Sequence, residues 1–164
     1  MKYVKYVVKM VAFGCRSMMI ATIFFLLPAF IGKKPMVVLS DSMKPTFTKG
    51  SLIYVEPTTY QDLREGDIVS FQDATIITHR IIEKKEDTKS VITKGDANSF
   101  ADSEISAYLI LGKVKESLHV PLIGYVLFAM QKEEVVLGMV LIMLLENVLS
   151  EYEEKKIIIK NPLY

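Results

Sequence analysis

Apolar positions in this chain follow two patterns: long unbroken runs near the ends, and short β-branched runs between them. From Ser17 to Ile31, SMMIATIFFLLPAFI, fifteen residues pass without a charge, and a helix continued back to Val7 across Arg16 adds apolar length. A bilayer core about 30 Å thick takes roughly 20 helical residues at about 1.5 Å each. The run is therefore expected to be a transmembrane anchor, with Arg16 snorkelling toward the interface. A cleavable secretory signal would use Lys2, Lys5 and Lys9 as its basic region, but no small-x-small site stands before Gly32-Lys33-Lys34, so an uncleaved anchor is expected. Farther on, Val120–Met130 and Val135–Leu145 are two apolar runs of eleven residues on either side of Gln131-Lys132-Glu133-Glu134. Pro121 and Gly124 mark the first as an irregular, membrane-skimming segment. The second is expected to span by borrowing Glu146, Asn147, Val148 and Leu149 at the interface, with a helix packed on the domain as its alternative.

Between Lys33 and Pro121 the period shortens. Leu52–Val55, Asp67–Phe71, Thr75–Ile82, Val91–Thr93 and Tyr108–Val114 are short runs bounded by turn residues such as Arg64-Glu65-Gly66-Asp67 and the polar stretch Glu83–Ser90. That pattern predicts a mainly β fold, a small antiparallel β domain, with transmembrane helices at the N-terminal and C-terminal ends. Gly95–Ser106 is too polar and too rich in small residues for a strand and is expected to be an exposed or site-lining loop. Lys2, Lys5, Lys9 and Arg16 before the first span, against Lys33 and Lys34 after it, favour a cytoplasmic N-terminus. The expected organisation is an N-terminus and anchor over 1–34, an extracytoplasmic β domain over 35–120, a membrane-associated segment and second span over 121–150, and a charged, solvated tail over 151–164.

Composition removes several classes of function. The 164 residues leave room for one ordinary domain plus short anchors. A net charge of +1, from 20 basic and 19 acidic residues, supplies no excess potential to draw a polyanion, so nucleic acid is not an expected partner. Cys15 has no second cysteine to pair with and lies among apolar residues, where a thiolate is disfavoured; it is read as inert. There is no HExxH, CxxC or GxGxxG, and His79 and His119 stand 40 positions apart, so neither a metal nor a nucleotide cofactor is expected.

Chemistry is concentrated in three polar stretches. Ser40-Asp41-Ser42-Met43-Lys44-Pro45-Thr46 follows the first anchor by fewer than ten residues, and Pro45 restricts the backbone just after Ser42. A serine hydroxyl is a weak nucleophile until a base takes its proton. His79, in Thr75–Ile82, shares a strand face with Ile77 and Ile81, while Thr78 and Arg80 take the other. An imidazole on an apolar face needs a hydrogen-bond partner, and Asp96 or Asp102 in the polar loop could orient it as third member of a Ser, His, Asp set.

Ser-Met-Lys-Pro, Thr-His-Arg-Ile and Thr-Lys-Gly-Asp-Ala-Asn occur in this order and at close spacing, and with them the chain resembles the type I signal peptidases. The resemblance runs from Val37 to Gly124 and is to the branch with a histidine base, found in the endoplasmic-reticulum enzyme, in archaea and in SipW-like enzymes of spore-forming bacteria. It implies Ser42 as nucleophile, His79 as base where the commoner bacterial branch has lysine, and Asp102 as the triad acid. Asp96 matches the family's Gly-Asp box, and Gly66-Asp67-Ile68-Val69 its Gly-Asp-hydrophobic strand start. The endoplasmic-reticulum pattern often doubles the second aspartate; here Ser103 follows Asp102, which points to the bacterial or archaeal forms. Beside Gly95, Asp96 is expected to accept hydrogen bonds from loop N–H groups, and Ser40 is a candidate oxyanion donor.

The implied activity is a membrane-bound serine endopeptidase cleaving signal peptides from exported preproteins on the outer face of the plasma membrane. Its partners would be signal-peptide-bearing preproteins, the lipid bilayer and the protein translocation machinery. Two alternatives stand beside it. One is a catalytically inactive membrane β scaffold or secretion-complex subunit; the other is a LexA-like self-cleaving regulator, whose lysine base and DNA-binding module are not visible here.

Overall fold

The computed structural model describes residues 2–160. It separates into two compact units, Phe25–Phe128 and a second made of the described residues before and after it.

The unit Phe25–Phe128 is built on a seven-stranded antiparallel sheet. Its strands are β1 (Lys34–Val37), β2 (Leu52–Glu56), β3 (Ile68–Gln72), β4 (Ile76–Lys85), β5 (Ser90–Lys94), β6 (Ile105–Ser106) and β7 (Ile110–Val120), in the spatial order β1-β2-β7-β3-β4-β5-β6. Strand β2 is apolar from Leu52 to Val55 because both its faces are covered there. Ile53 and Val55 join Met43, Phe47, Ile68 and Val114 in one core, while Leu52 and Tyr54 face Leu127, Phe25, Val120 and Ile123 in another. A third core holds Leu63, Val69, Phe71, Ile81, Val91 and Ile105. It forms the floor beneath His79.

Three elements depart from the sequence expectation. Strand β1 carries Lys34 and Pro35 and was not anticipated; it lies at the sheet edge, where a proline leaves no ladder bond unmade. The polar loop contains β6, whose Ile105 is 8% exposed beneath the third core and pairs with Val91. Strand β4 continues through Glu83, Lys84 and Lys85, which pair with β5 while their charges stay near solvent; Lys84 Nζ also sits 4.4 Å above the Tyr60 ring.

Around Pro121 and Gly124 the chain is more regular than expected, forming helix α2 (Ile123–Met130). Gly124 serves close approach rather than irregularity. Its N–H donates to the Gly50 carbonyl at 2.9 Å, and a Cβ there would stand 2.7 Å from that same oxygen.

Helix α1 runs over Lys2–Leu26 and helix α3 over Glu133–Lys160. Pro28 lacks the N–H that the α-helical ladder needs, so the winding tightens to a 3₁₀ turn over Leu27–Ile31 and ends at Gly32 with φ +81°. Two stretches are long and apolar enough to cross a membrane, Tyr3–Ile31 and Glu133–Glu153, and both are candidate spans. In the second unit, Arg16 donates to Glu146 at 2.7 Å, where the sequence suggested that each charge would seek the interface. The lengths explain the pairing: Arg16 precedes Ile31 by 15 residues and Glu146 follows Glu133 by 13, roughly 20 Å of helix in each case. At such matched heights along two candidate spans, opposite charges would offset each other's cost in an apolar surround. The tail expected over 151–164 is helical through Lys160, and residues 161–164 lie outside the described residues.

Candidate active site

Ser42 stands in the excursion between β1 and β2. The base of that excursion is closed by Val38 N–H to the Ser51 carbonyl, 2.9 Å, and Gly50 N–H to the Val38 carbonyl, 2.8 Å. Met43 and Phe47, 2% and 0% exposed, drop into the first core, so Ser42 is held from its C-terminal side by packing. The Lys44–Pro45 peptide is cis. Ser42 is half-buried, and its Oγ lies 3.0 Å from the Oγ of exposed Ser40.

His79 comes from the middle of β4, opposite Val69 of β3. Strand alternation sets it beside Ile77 and Ile81 over the third core, and Phe71 meets its ring edge-on at 6.4 Å. At 6% exposure the imidazole needs protein partners for both nitrogens. Nδ1 lies 2.6 Å from Asp102 Oδ2, and Nε2 lies 3.1 Å from Ser42 Oγ. The three groups thus form one continuous hydrogen-bonded line of hydroxyl, imidazole and carboxylate.

Asp102 and Asp96 belong to the same loop but serve opposite faces of β4, because adjacent residues His79 and Arg80 point opposite ways. Asp102 is tied to β5: its N–H donates to the Thr93 carbonyl at 2.8 Å, and the Thr93 hydroxyl donates to its Oδ2 at 2.6 Å. Asp96 differs from expectation. Its carboxylate accepts no loop N–H bond among the described residues; it takes a two-pronged grip from Arg80, Nε to Oδ1 at 2.9 Å and Nη2 to Oδ2 at 2.7 Å, and the Thr46 hydroxyl at 2.5 Å. A carboxylate between a guanidinium fork and a hydroxyl gains more than it would from neutral amides. The Arg80 guanidinium holds the Asp96 carboxyl below its ordinary range, with burial opposing and Thr46 assisting. Arg80 also donates to the Gly66 carbonyl at 3.0 Å and pairs with Glu116 at 2.7 Å. One arginine beside the candidate base therefore joins the serine-bearing excursion, through Thr46, to the aspartate loop.

The loop and the serine turn also touch directly. Ala97 N–H donates to the Ser42 carbonyl at 2.8 Å, and Gly95 passes so close that a Cβ would stand 2.7 Å from that carbonyl oxygen. Only a hydrogen fits there, which is the structural reason for a glycine before Asp96.

Sequence reasoning singled out Ser40, Ser42, His79, Asp96 and Asp102, and the structure brings Ser40, Ser42, His79 and Asp102 to one place, with Asp96 supporting the adjacent arginine. It missed Thr46, Arg80 and Thr93. In the sequence Arg80 is only a motif neighbour of His79 on the opposite strand face; Thr93 has one signal, a polar residue closing the apolar run Val91-Ile92. Among the described residues no group of three or more His, Cys, Asp or Glu is placed to hold a metal ion. The arrangement suits nucleophilic attack by a hydroxyl whose proton passes to a positioned imidazole.

A family model described as signal peptidase, peptidase S26, matches residues 10–103, a stretch that contains the five residues singled out from the sequence. Among similar proteins, signal peptidase I W of Bacillus subtilis is 48% identical over 81 residues, 46% of this chain and 43% of its own length. A signal peptidase complex catalytic subunit of Fusarium vanettenii is 36% identical over 104 residues, 55% of this chain and 59% of its own. The corresponding subunit of Candida albicans is 34% identical over 104 residues, with 55% and 61% covered. The chain spans about half the length of the curated relatives it matches.

Proposed function

The chain belongs to the signal peptidase family, peptidase S26, and from that premise we propose that it is a membrane-bound serine endopeptidase that removes signal peptides from exported preproteins. The observation that carries this reading is the unbroken line Ser42 Oγ, His79 Nε2, His79 Nδ1, Asp102 Oδ2, at 3.1 and 2.6 Å. With Nδ1–H donated to Asp102, Nε2 is the free lone pair that faces the serine. Ser42 Oγ attacks the scissile carbonyl as its proton passes to Nε2; the imidazolium then returns that proton to the departing amine, and a water repeats the cycle on the acyl-enzyme. Asp102 keeps the tautomer and offsets the charge on the ring. The Ser42 N–H and the Ser40 hydroxyl, already 3.0 Å from Ser42 Oγ, are the donors proposed for the oxyanion.

The candidate span Tyr3–Ile31 ends eleven residues before Ser42. A nucleophile on so short a tether stays near the headgroups, where a membrane-inserted signal peptide presents its cleavage site; proximity raises local concentration without high affinity. The basic residues before that span support a cytoplasmic N-terminus and a catalytic domain on the outer face of the plasma membrane. Preproteins are the proposed substrates, delivered by the translocation machinery, and the β unit is the proposed catalytic domain.

Expressing the chain with a reporter preprotein, wild type beside Ser42→Ala, tests the reading. Processing should disappear with Ser42→Ala while the protein remains in the carbonate-resistant membrane fraction. Undiminished processing by the Ser42→Ala protein would refute it.

A further inference from the structure

The candidate acid is on a loop, and loops are poor platforms for a group that must hold an imidazole to within fractions of an ångström. What fixes Asp102 lies one strand away. Residue Thr93 of β5 is opposite Ile81 of β4, so it shares a sheet face with Ile81 and, two residues along, with His79. Thr93 and His79 are thus diagonal cross-strand neighbours, about 7–8 Å apart at the backbone, a gap too wide for a hydroxyl and an imidazole to bond directly. The Asp102 carboxylate fills it. Its Oδ2 accepts the Thr93 hydroxyl at 2.6 Å and the His79 ring N–H at 2.6 Å, and its own N–H donates to the Thr93 carbonyl at 2.8 Å.

Thr93 is 0% exposed, so its hydroxyl has no water to turn to and must point at an acceptor. Because its only hydrogen bond among the described residues is to Asp102 Oδ2, the rigid strand selects which carboxylate oxygen faces the imidazole. The branched side chain has few χ1 states to choose among, which sharpens that selection. We propose that Thr93 is a positioning residue for the proteolytic reaction, holding Asp102 by side chain and backbone so that the carboxylate keeps His79 in its proton-accepting tautomer. This rests on the Ser42, His79, Asp102 reading of the site.

The test uses the full chain in detergent micelles with one purified preprotein, and compares Thr93→Val, Thr93→Ser, Asp102→Asn and the Thr93→Val/Asp102→Asn double variant. Loss of a hydrogen bond to a charged group should lower kcat of Thr93→Val about 10- to 100-fold, with KM within about twofold. Thr93→Ser, which keeps the hydroxyl, should recover to within about threefold of wild type. Added to Asp102→Asn, Thr93→Val should lower kcat no further, because Thr93 acts through a carboxylate that is no longer there. Each variant is compared beside its thermal unfolding midpoint, and Thr93→Ala removes the same hydroxyl with less volume should valine crowd the site. Full kcat in a folded Thr93→Val or Thr93→Ala protein, beside a slow Asp102→Asn, overturns this inference and leaves the triad standing. A Thr93→Val loss undiminished in the Asp102→Asn background also overturns it. Wild-type kcat in Asp102→Asn removes the triad and this inference together.

Discussion

Replacing Asp96 by asparagine removes one negative charge from the centre of a network and leaves its shape almost unchanged. The Asp96 side chain is 14% exposed and receives Arg80 Nε at 2.9 Å, Arg80 Nη2 at 2.7 Å and the Thr46 hydroxyl at 2.5 Å. Breaking a largely buried ion pair by neutralising one partner costs about 3–5 kcal/mol where the other charge is left alone. Glu116 still pairs with Arg80 at 2.7 Å and asparagine keeps one carbonyl oxygen for one of the donors, so the net loss is about 1–3 kcal/mol. In a folding unit of about 100 residues, that lowers the unfolding midpoint by roughly 5–15 °C. The sign with pH follows from the depressed carboxyl: a group more acidic in the folded state stabilises fully above its unfolded pKa of about 3.9 and loses that contribution as pH falls through the lower folded value. The gap between wild type and Asp96→Asn should therefore be constant from about pH 5 to 7 and close below about pH 4. Differential scanning fluorimetry of both purified proteins across that range measures it, with preprotein processing followed at about 10 °C. Since Asp96 bonds to Arg80 and Thr46 and not to the imidazole, processing at that temperature should stay within about tenfold of wild type. An Asp96→Asn protein with an unchanged midpoint and no activity would refute the reasoning and make Asp96 the orienting acid.

Gly95→Ala should drive a methyl group against the Ser42 carbonyl, costing about 1–3 kcal/mol and slowing processing at least tenfold; an unchanged unfolding midpoint and normal rate would show that the loop can yield. Wild-type processing should decline on the acidic side of its optimum, since an imidazolium cannot accept the Ser42 proton, and a rate that does not fall with acidity in a folded protein would exclude His79 as base. Glu146→Gln should leave Arg16 unpaired between apolar helices and lower the midpoint in micelles, whereas the double change Arg16→Met/Glu146→Leu should restore it; equal midpoints in all three proteins would mean that the pair contributes nothing.

Patterning along the chain was enough to separate two apolar helices from a small antiparallel β unit, because hydrophobic period is a local property that survives without knowledge of the fold. Apolar runs announce candidate spans, and β-branched runs such as Thr75–Ile82 announce strands whose alternate faces can be assigned by counting. The same counting set His79 and Arg80 on opposite faces, and the motif residues Ser42, Asp96 and Asp102 were legible as residue types that matter together. Strand ends and edge strands were not, since β1 is held by its neighbour β2 despite Lys34 and Pro35, and the two residues of β6 pair only because Ile105 finds a core to enter. Tertiary structure alone decided the partners. Asp96 turned from loop amides to Arg80 once β4 placed a guanidinium within reach, and Arg16 found Glu146 across 130 positions of sequence. Thr93 gained its place beside Asp102 from the register between β4 and β5, a long-range pairing that no local pattern encodes.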